Sequence, residues 1–247
     1  MSERLIVVHP DAHTLAQAVA ARLITFLLDR QSVSSPIHVA LTGGTVGIAT
    51  LAAVAASPIK DAVDWRGVHL WWGDERFLPE GDLDRNEVQA RHALLDSLTS
   101  LPEANIHYMP RAQEDLTVDA AAELYSAELA RFAYDGSGIP AFDLILLGMG
   151  PDAHVASLFP NHPDAQASGK RAIAVHDSPK PPALRISLTF DVIQSADEVW
   201  VIAAGAEKAE AVTSGLAELP REQAPVAAAH GTNRTLWLVD TTAAGMQ

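Results

Sequence analysis

The sequence predicts an α/β fold: a Rossmann-like, mostly parallel sheet flanked by helices, with an antiparallel portion in the C-terminal half. Three observations predict it. Short apolar runs of strand length recur between stretches of helix length, which is the pattern of βαβ units. Several of these runs end in glycines that lead into the next element, as in Leu41-Thr42-Gly43-Gly44 and Leu147-Gly148-Met149-Gly150. Two later runs, Ala172–His176 and Arg185–Phe190, are joined by a proline-rich link with no room for a crossover helix. A short link requires an antiparallel or irregular pairing.

Taken in order, Arg4–His9 is the first strand. Asp11 or Thr14 caps the helix that follows, and Leu15, Val19, Leu23 and Leu27 recur along it at helical spacing to about Arg30. Ile37–Leu41 is the second strand, followed by Thr42-Gly43-Gly44-Thr45 and an alanine-rich helix to about Ala56. Val68–Trp72 is the third strand. Asn86 or Asp84 caps a helix ending near Leu98, and Leu116–Phe132 is a further amphipathic helix. Leu144–Leu147 is too short an apolar run for an independent helix and right for a buried strand. Val199–Ala203, a late helix Ala206–Leu216 and Leu236–Val239 complete the set. No internal repeat interrupts it, and Pro179–Pro182 reads as a rigid loop rather than a linker. The whole chain, residues 1–247, therefore reads as a single α/β domain.

Composition narrows the function. The chain is 48% hydrophobic and 19% charged, ordinary for a protein that buries a core. No apolar run reaches membrane-span length, and the N-terminus lacks the pattern of a signal peptide. With no cysteine there is no disulfide, thiolate nucleophile or thiolate metal site, which fits a cytoplasmic protein. A net charge of −14 and the lack of any basic run make nucleic acid and anionic membrane poor partners. An anionic ligand would need a few cations gathered locally.

Four constellations could carry chemistry. Gly43, Gly44 and Thr45 lie between a strand and a helix start, where backbone amides and a hydroxyl can hold a phosphate; the alternative is a tight turn that needs glycine only for its geometry. Asp74, Glu75 and Arg76 follow the third strand directly, and Arg76 is placed to grip a phosphate or carboxylate. Asp152 and His154 stand just past a buried strand, where open α/β sheets bind ligands and where a histidine can act as a general base. Gly148–Ala153 also fits the dinucleotide pattern G-x-G-x-x-A, but the segment before Pro160 is too short for the usual crossover helix. Lys180, Arg185 and Lys208 gain meaning if they face the same pocket. His162 offers no third ligand at metal spacing, so neither a metal nor a cofactor is expected.

Together these segments resemble the 6-phosphogluconolactonase family. The resemblance is carried by LTGGTVG (Leu41–Gly47), WWGDERFLP (Trp71–Pro79), the region of Asn86, FDLILLGMGPDAHVASLFP (Phe142–Pro160), PKPPALRISLTF (Pro179–Phe190) and GAEKAEAV (Gly205–Val212), in family order. The Ala-Ser-Leu-Phe-Pro ending distinguishes it from the related glucosamine-6-phosphate deaminases and isomerases. The resemblance implies hydrolysis of 6-phospho-D-glucono-1,5-lactone to 6-phosphogluconate in the oxidative pentose phosphate pathway, by direct attack of water. It implies His154, Asp152, Arg76 and Asp74 as catalytic residues, and Gly43, Gly44, Thr45, Asn86, Lys180, Arg185 and Lys208 as substrate-binding residues. The expected partner is the small phosphorylated lactone, and the expected state a monomer or weak homo-oligomer. An isomerase or deaminase with Asp74 as base, and a non-catalytic sugar-phosphate sensor, are the alternatives.

Two positions depart from the family pattern. Arg85 replaces the serine usual before Asn86, beside a residue expected to meet ligand. Ala153 replaces the glycine usual between Asp152 and His154. Alanine is expected here at negative φ, at the start of a short helix carrying His154. A positive φ would instead mark an impaired or repurposed relative.

Overall fold

The computed structural model describes residues 3–134 and 136–246. In chain order its elements are β1 (Glu3–His9), α1 (Ala12–Gln31), β2 (Ile37–Leu41), α2 (Gly44–Ala56), β3 (Val68–Trp72), β4 (Asp74–Arg76), α3 (Asn86–Ala93), α4 (Val118–Arg131), β5 (Phe142–Gly148), β6 (Ala172–Val175), β7 (Arg185–Leu188), α5 (Phe190–Ile193), β8 (Glu198–Ala203), α6 (Ala209–Leu216) and β9 (Arg234–Asp240). Six strands form one parallel sheet in the order β1-β9-β8-β5-β2-β3. Every residue of β2 and β8 is buried, as expected of parallel strands covered on both faces.

Chain direction across this sheet decides where a ligand can sit. From edge strand β1 the chain crosses to β2 and steps outward to β3; later it returns to β5 and steps the other way, to β8 and β9. The reversal falls between neighbours β2 and β5. Their carboxyl ends leave a crevice between diverging connections, the switch point at which such sheets take ligands. Thr42 and Gly43 leave one side of it and Gly148 the other, and Thr42 Oγ1 accepts the Gly148 N–H at 2.9 Å.

The antiparallel portion is a separate three-stranded sheet, β4-β7-β6. Its strand β4 lies in a stretch that reads as a charged loop in the sequence. Of the two cap choices for α1, Asp11 is the cap, with Oδ1 accepting the Thr14 N–H at 2.7 Å. For α3, neither Asp84 nor Asn86 is the cap. Arg85 holds that position without a side-chain bond, and the Glu75 carboxylate, arriving from β4, takes the Asn86 and Glu87 N–H groups at 2.7 and 2.9 Å. A carboxylate from a distant strand thus supplies what sequence reasoning sought locally. Helix α3 also stops at Ala93 rather than near Leu98, because the backbone leaves helical angles at Leu94 (φ −144°) before a 3₁₀ turn at Leu95–Ser97. Strand β7 ends at Leu188, and Phe190 opens the short helix α5.

Beside β2 and β3 lies a buried imidazole cluster. His69 Nδ1 meets His107 Nε2 at 2.9 Å, His107 Nδ1 meets Glu128 Oε1 at 2.9 Å, and Trp71 Nε1 donates to His38 Nδ1 at 3.1 Å. Burial, then the neighbouring His69 and His107, pushes the His38 pKa down to about 4. Burial also lowers His69 and His107. His38 stays neutral when folded over a range in which the unfolded chain takes up a proton below the ordinary value of 6.5. Depressed histidines therefore contribute stability at neutral pH that is lost as pH falls below 6.5. For His38 alone the loss between pH 7 and 5 is roughly 2 kcal/mol. Urea unfolding at the two pH values should show it, and His38→Asn, which can still accept from Trp71, should flatten the dependence. An unchanged slope would remove His38 as a cause.

Candidate active site

A cleft of about 320 Å³ opens at the carboxyl ends of β2 and β5. Gly43, Gly44, Thr45, Asp74, Arg76, Asn86, His154, Lys180, Arg185 and Lys208, all singled out from the sequence, line it together. Asp152 stands behind His154 rather than on the wall. Six separate segments therefore converge on one site.

The first wall is the start of α2. Gly43 precedes the helix with no side-chain cap, so the amides of its first turn are not taken up by a capping side chain. Such amides, with the helix dipole, suit an anion. Glycine is required at 43 for space, since a Cβ there would stand 1.9 Å from Asn86 Oδ1. Asn86 donates through Nδ2 to the Asp74 carbonyl at 2.8 Å, so it ties β4 to this turn.

The second wall is β4. Successive strand residues point to opposite faces. Asp74 and Arg76 accordingly line the cleft, while Glu75 points behind it and is fully buried. Asp74 Oδ2 accepts from Ser157 Oγ at 2.7 Å and lies 3.9 Å from Arg185 Nη1. Ser157 is itself 0% exposed, which places its hydroxyl in the scaffold and not in the cleft as a nucleophile. Arg76 donates to the Asp84 carbonyl. Arg185 donates through Nη2 to the carbonyls of Lys180 and Pro181 at 3.1 and 3.0 Å, fixing the loop that carries Lys180. Burial, and secondarily Arg76, lowers the Arg185 pKa while Asp74 raises it.

The third wall follows β5. The Gly150 N–H donates to the His154 carbonyl, and the Ala153 N–H to the Gly150 carbonyl, both at 3.0 Å. This tight turn replaces the short helix expected from the sequence. It folds His154 Nδ1 onto Asp152 Oδ1 at 2.6 Å, and a Cβ at Gly150 would stand 2.0 Å from the imidazole. Lys180 Nζ donates to the same Oδ1 at 3.2 Å. Half-burial works to raise the Asp152 pKa, but the His154 hydrogen bond and the charges of His154 and Lys180 outweigh it and hold the carboxyl well below its usual range. An anionic Asp152 that accepts the Nδ1 proton leaves Nε2 as the imidazole's free basic nitrogen. Lys208 completes the cleft, its pKa lowered first by burial and then by the charge of Lys180. Among the described residues no cluster of three or more His, Asp or Glu could hold a metal ion.

A protein-family model described as glucosamine-6-phosphate isomerases/6-phosphogluconolactonase matches residues 10–237. The chain belongs to that family. A 6-phosphogluconolactonase of Streptomyces coelicolor is 50% identical over 97% of this chain and 93% of its own length. One from Mycobacterium tuberculosis is 41% identical over 97% and 96%. The solved 6-phosphogluconolactonase of Trypanosoma brucei superposes with a TM-score of 0.83 at 27% identity, covering 99% of both chains.

Against the family pattern, both departures resolve structurally. Arg85 is 1% exposed and does not line the cleft; it donates to the carbonyls of Leu78 and Met109 behind it. Ala153 corrects the sequence expectation, because its φ is +66°. The left-handed conformation is imposed by the turn that carries His154, and the Ala153 carbonyl is held there by the Val226 N–H at 3.0 Å. Yet the residue is 4% exposed and absent from the cleft wall, so its methyl group does not crowd the site, and its positive φ is no mark of an impaired relative as the sequence led us to expect. The cost is local strain, of order 1–2 kcal/mol for a non-glycine residue held left-handed. Glycine would relieve that strain and lose some by its freer unfolded chain. Ala153→Gly should therefore leave stability unchanged or raise it by up to ~1 kcal/mol in urea unfolding. A loss above ~1 kcal/mol would show that the methyl group packs better than the backbone strain costs.

Proposed function

We infer that the chain hydrolyses 6-phospho-D-glucono-1,5-lactone to 6-phosphogluconate, a step of the oxidative pentose phosphate pathway. The observation that carries the mechanism is His154 on the wall, backed by Asp152, in a cleft that also holds a helix start and four cations. His154 Nε2 takes a proton from water as its oxygen attacks the lactone carbonyl, and Asp152 holds the resulting imidazolium. The C1–O5 bond then breaks, the proton passes to the ring oxygen, and the carboxylic acid so formed gives its own proton to solvent to leave the carboxylate. Arg76 supplies positive charge to the tetrahedral oxyanion. Gly43, Gly44 and Thr45 at the start of α2, with Lys208, hold the 6-phosphate. Arg185 and Asn86 keep the two ends in register, and Lys180 reinforces the ionised state of Asp152.

Asp74 is the base in the isomerase or deaminase reading. Its engagement by Ser157 and Arg185 suits holding Arg185 better than moving a substrate proton. The whole chain acts as one domain in this reading, as a cytoplasmic monomer or weak homo-oligomer without metal or cofactor. Its charge of −14 disfavours nucleic acid, and among the described residues no helix is long and apolar enough to cross a membrane. Following products by NMR, with the phosphorylated lactone against glucosamine 6-phosphate, tests the reaction; turnover of the amino sugar alone would overturn it.

Two measurements probe the roles. His154→Ala should lower kcat by ~10²–10⁴, the usual worth of a positioned base. A loss under threefold, after spontaneous hydrolysis is subtracted, would remove His154 from that role. Glucono-δ-lactone without its phosphate should lose at least ~3 kcal/mol of kcat/KM, one or two charge-assisted contacts. Equal turnover of both lactones would mean that the cations serve something else.

A further inference from the structure

Glu75 lies outside the cleft, yet its carboxylate touches the backbone of two residues that line it. Oε1 accepts the N–H of Arg76 at 2.8 Å and of Asn86 at 2.7 Å, and Oε2 accepts that of Glu87 at 2.9 Å. Arg85 Nη2 stands 3.7 Å from Oε2. Both side chains are about 1% exposed. One anion thus joins the end of β4 to the start of α3, and through Asn86 to Gly43. Hydrophobic residues at 75 and 85 would fill such a space at less desolvation cost. The geometry points to a positioning role.

We propose that ionised Glu75 is a positioning residue for the hydrolysis, setting Arg76 and Asn86 in the cleft by gripping their backbone N–H groups from behind. The proposal rests on the reading of Arg76 and Asn86 as substrate contacts. A neutral side chain at 75 cannot serve as well. Glutamine keeps one acceptor oxygen, enough for Arg76 and Asn86, but turns an NH₂ toward the Glu87 N–H and the Arg85 guanidinium, where donor meets donor. The start of α3 must then shift, and Asn86 with it.

The same holds for protonation. Burial pushes the Glu75 pKa up to about 7, against the pull of Arg85 and the three N–H groups. The other charged or titratable groups near it are Asp74 and Arg76 on β4, Glu87 on α3, Arg185 on β7 and Tyr125 on α4. A carboxylate that must stay ionised costs activity when it takes up a proton. Log kcat/KM should therefore carry an acid-side fall through the Glu75 value that a variant without this carboxyl group lacks.

The test uses Glu75→Gln in the full chain, checked for folding by circular dichroism. The expected result is a fall in kcat/KM of at least tenfold at pH 8, with the acid-side fall through the Glu75 value lost. A merely structural role would lower the melting temperature and leave both readouts unchanged in the folded variant; kcat/KM within threefold of the parent, or an acid-side profile that Glu75→Gln leaves unchanged, overturns the proposal. If Glu75→Gln does not fold, Glu75→Asp decides, since it keeps the charge but is one methylene short: a tenfold loss supports the proposal and a loss under threefold overturns it. Arg76→Ala, assayed alongside, keeps the two ideas separate. Wild-type turnover by that variant would sink the reading of the cleft, whatever Glu75 does.

Discussion

The site depends on how closely two loop backbones can approach at the carboxyl ends of β2 and β5. One hydrogen bond, from the Gly148 N–H to Thr42 Oγ1, joins the two loops there. Around it, side chains would fill the space the site needs. A Cβ at Gly43 would displace Asn86, and one at Gly150 would displace His154. Those two absences let the anion-binding end and the imidazole end share one cleft. The parallel sheet makes the crevice, but these glycines decide that it holds this particular set of groups.

The second sheet supplies what the first cannot. A parallel strand ends where the crevice begins, so its own residues reach only the crevice floor. Strand β4 runs past that point, antiparallel to β7, and pairs Asp74 with Ser187 and Arg76 with Arg185. Its alternation turns one run of three charges into two layers. Asp74 and Arg76 face the cleft, and Glu75 braces it from behind. The β6–β7 link adds Lys180, held by the guanidinium of Arg185. Two arginines and a lysine are thus positioned by backbone carbonyls and carboxylates, which fixes charge in place before any ligand arrives.

Most of the fold was legible because β2, α2 and β3 carry unmixed local signals: an apolar run, a glycine pair, an alanine-rich stretch. The bounds of β2 and β3 match the sequence reading to the residue, and α2 ends at Ala56 as expected but starts at Gly44, inside the glycine turn. The cleft residues were legible for a related reason, since strand ends followed by glycines or charges mark the ligand edge of such sheets. Three things were not legible. Asp74–Arg76 carries three charges in three residues, so hydrophobic periodicity says loop; the strand exists only because β7 pairs with it. The cap of α3 was sought within the local chain and comes from eleven residues earlier, through a fold contact no spacing encodes. And Ala153 has good helix propensity, while the Gly150–His154 turn demands a left-handed residue. In each case a tertiary contact overrode the local preference. The period-two pattern in Asp74-Glu75-Arg76 was the one available clue to Glu75.

The cleft carries its own unfavourable terms. Burial first, and then the charge of Lys180, lowers the pKa of Lys208; burial, and then Arg76, lowers that of Arg185, so like charges face one another in the cleft. Ala153 and Ala156 both sit at positive φ, at +66° and +48°, within the loop that carries His154. Strain and like-charge repulsion of this kind persist only where the surrounding structure over-determines them. Here Asp152 and Asp74 offset part of the repulsion. In the reading proposed above, a dianionic phosphate offsets what remains. Binding energy would then come from relieving a cost already present in the folded protein, ahead of any contact between the lactone ring and His154. An acidic protein of net charge −14 gains from this arrangement a second time. Its net charge repels anions in general, and on the proposed reading only one that can reach the four converging cations would be held.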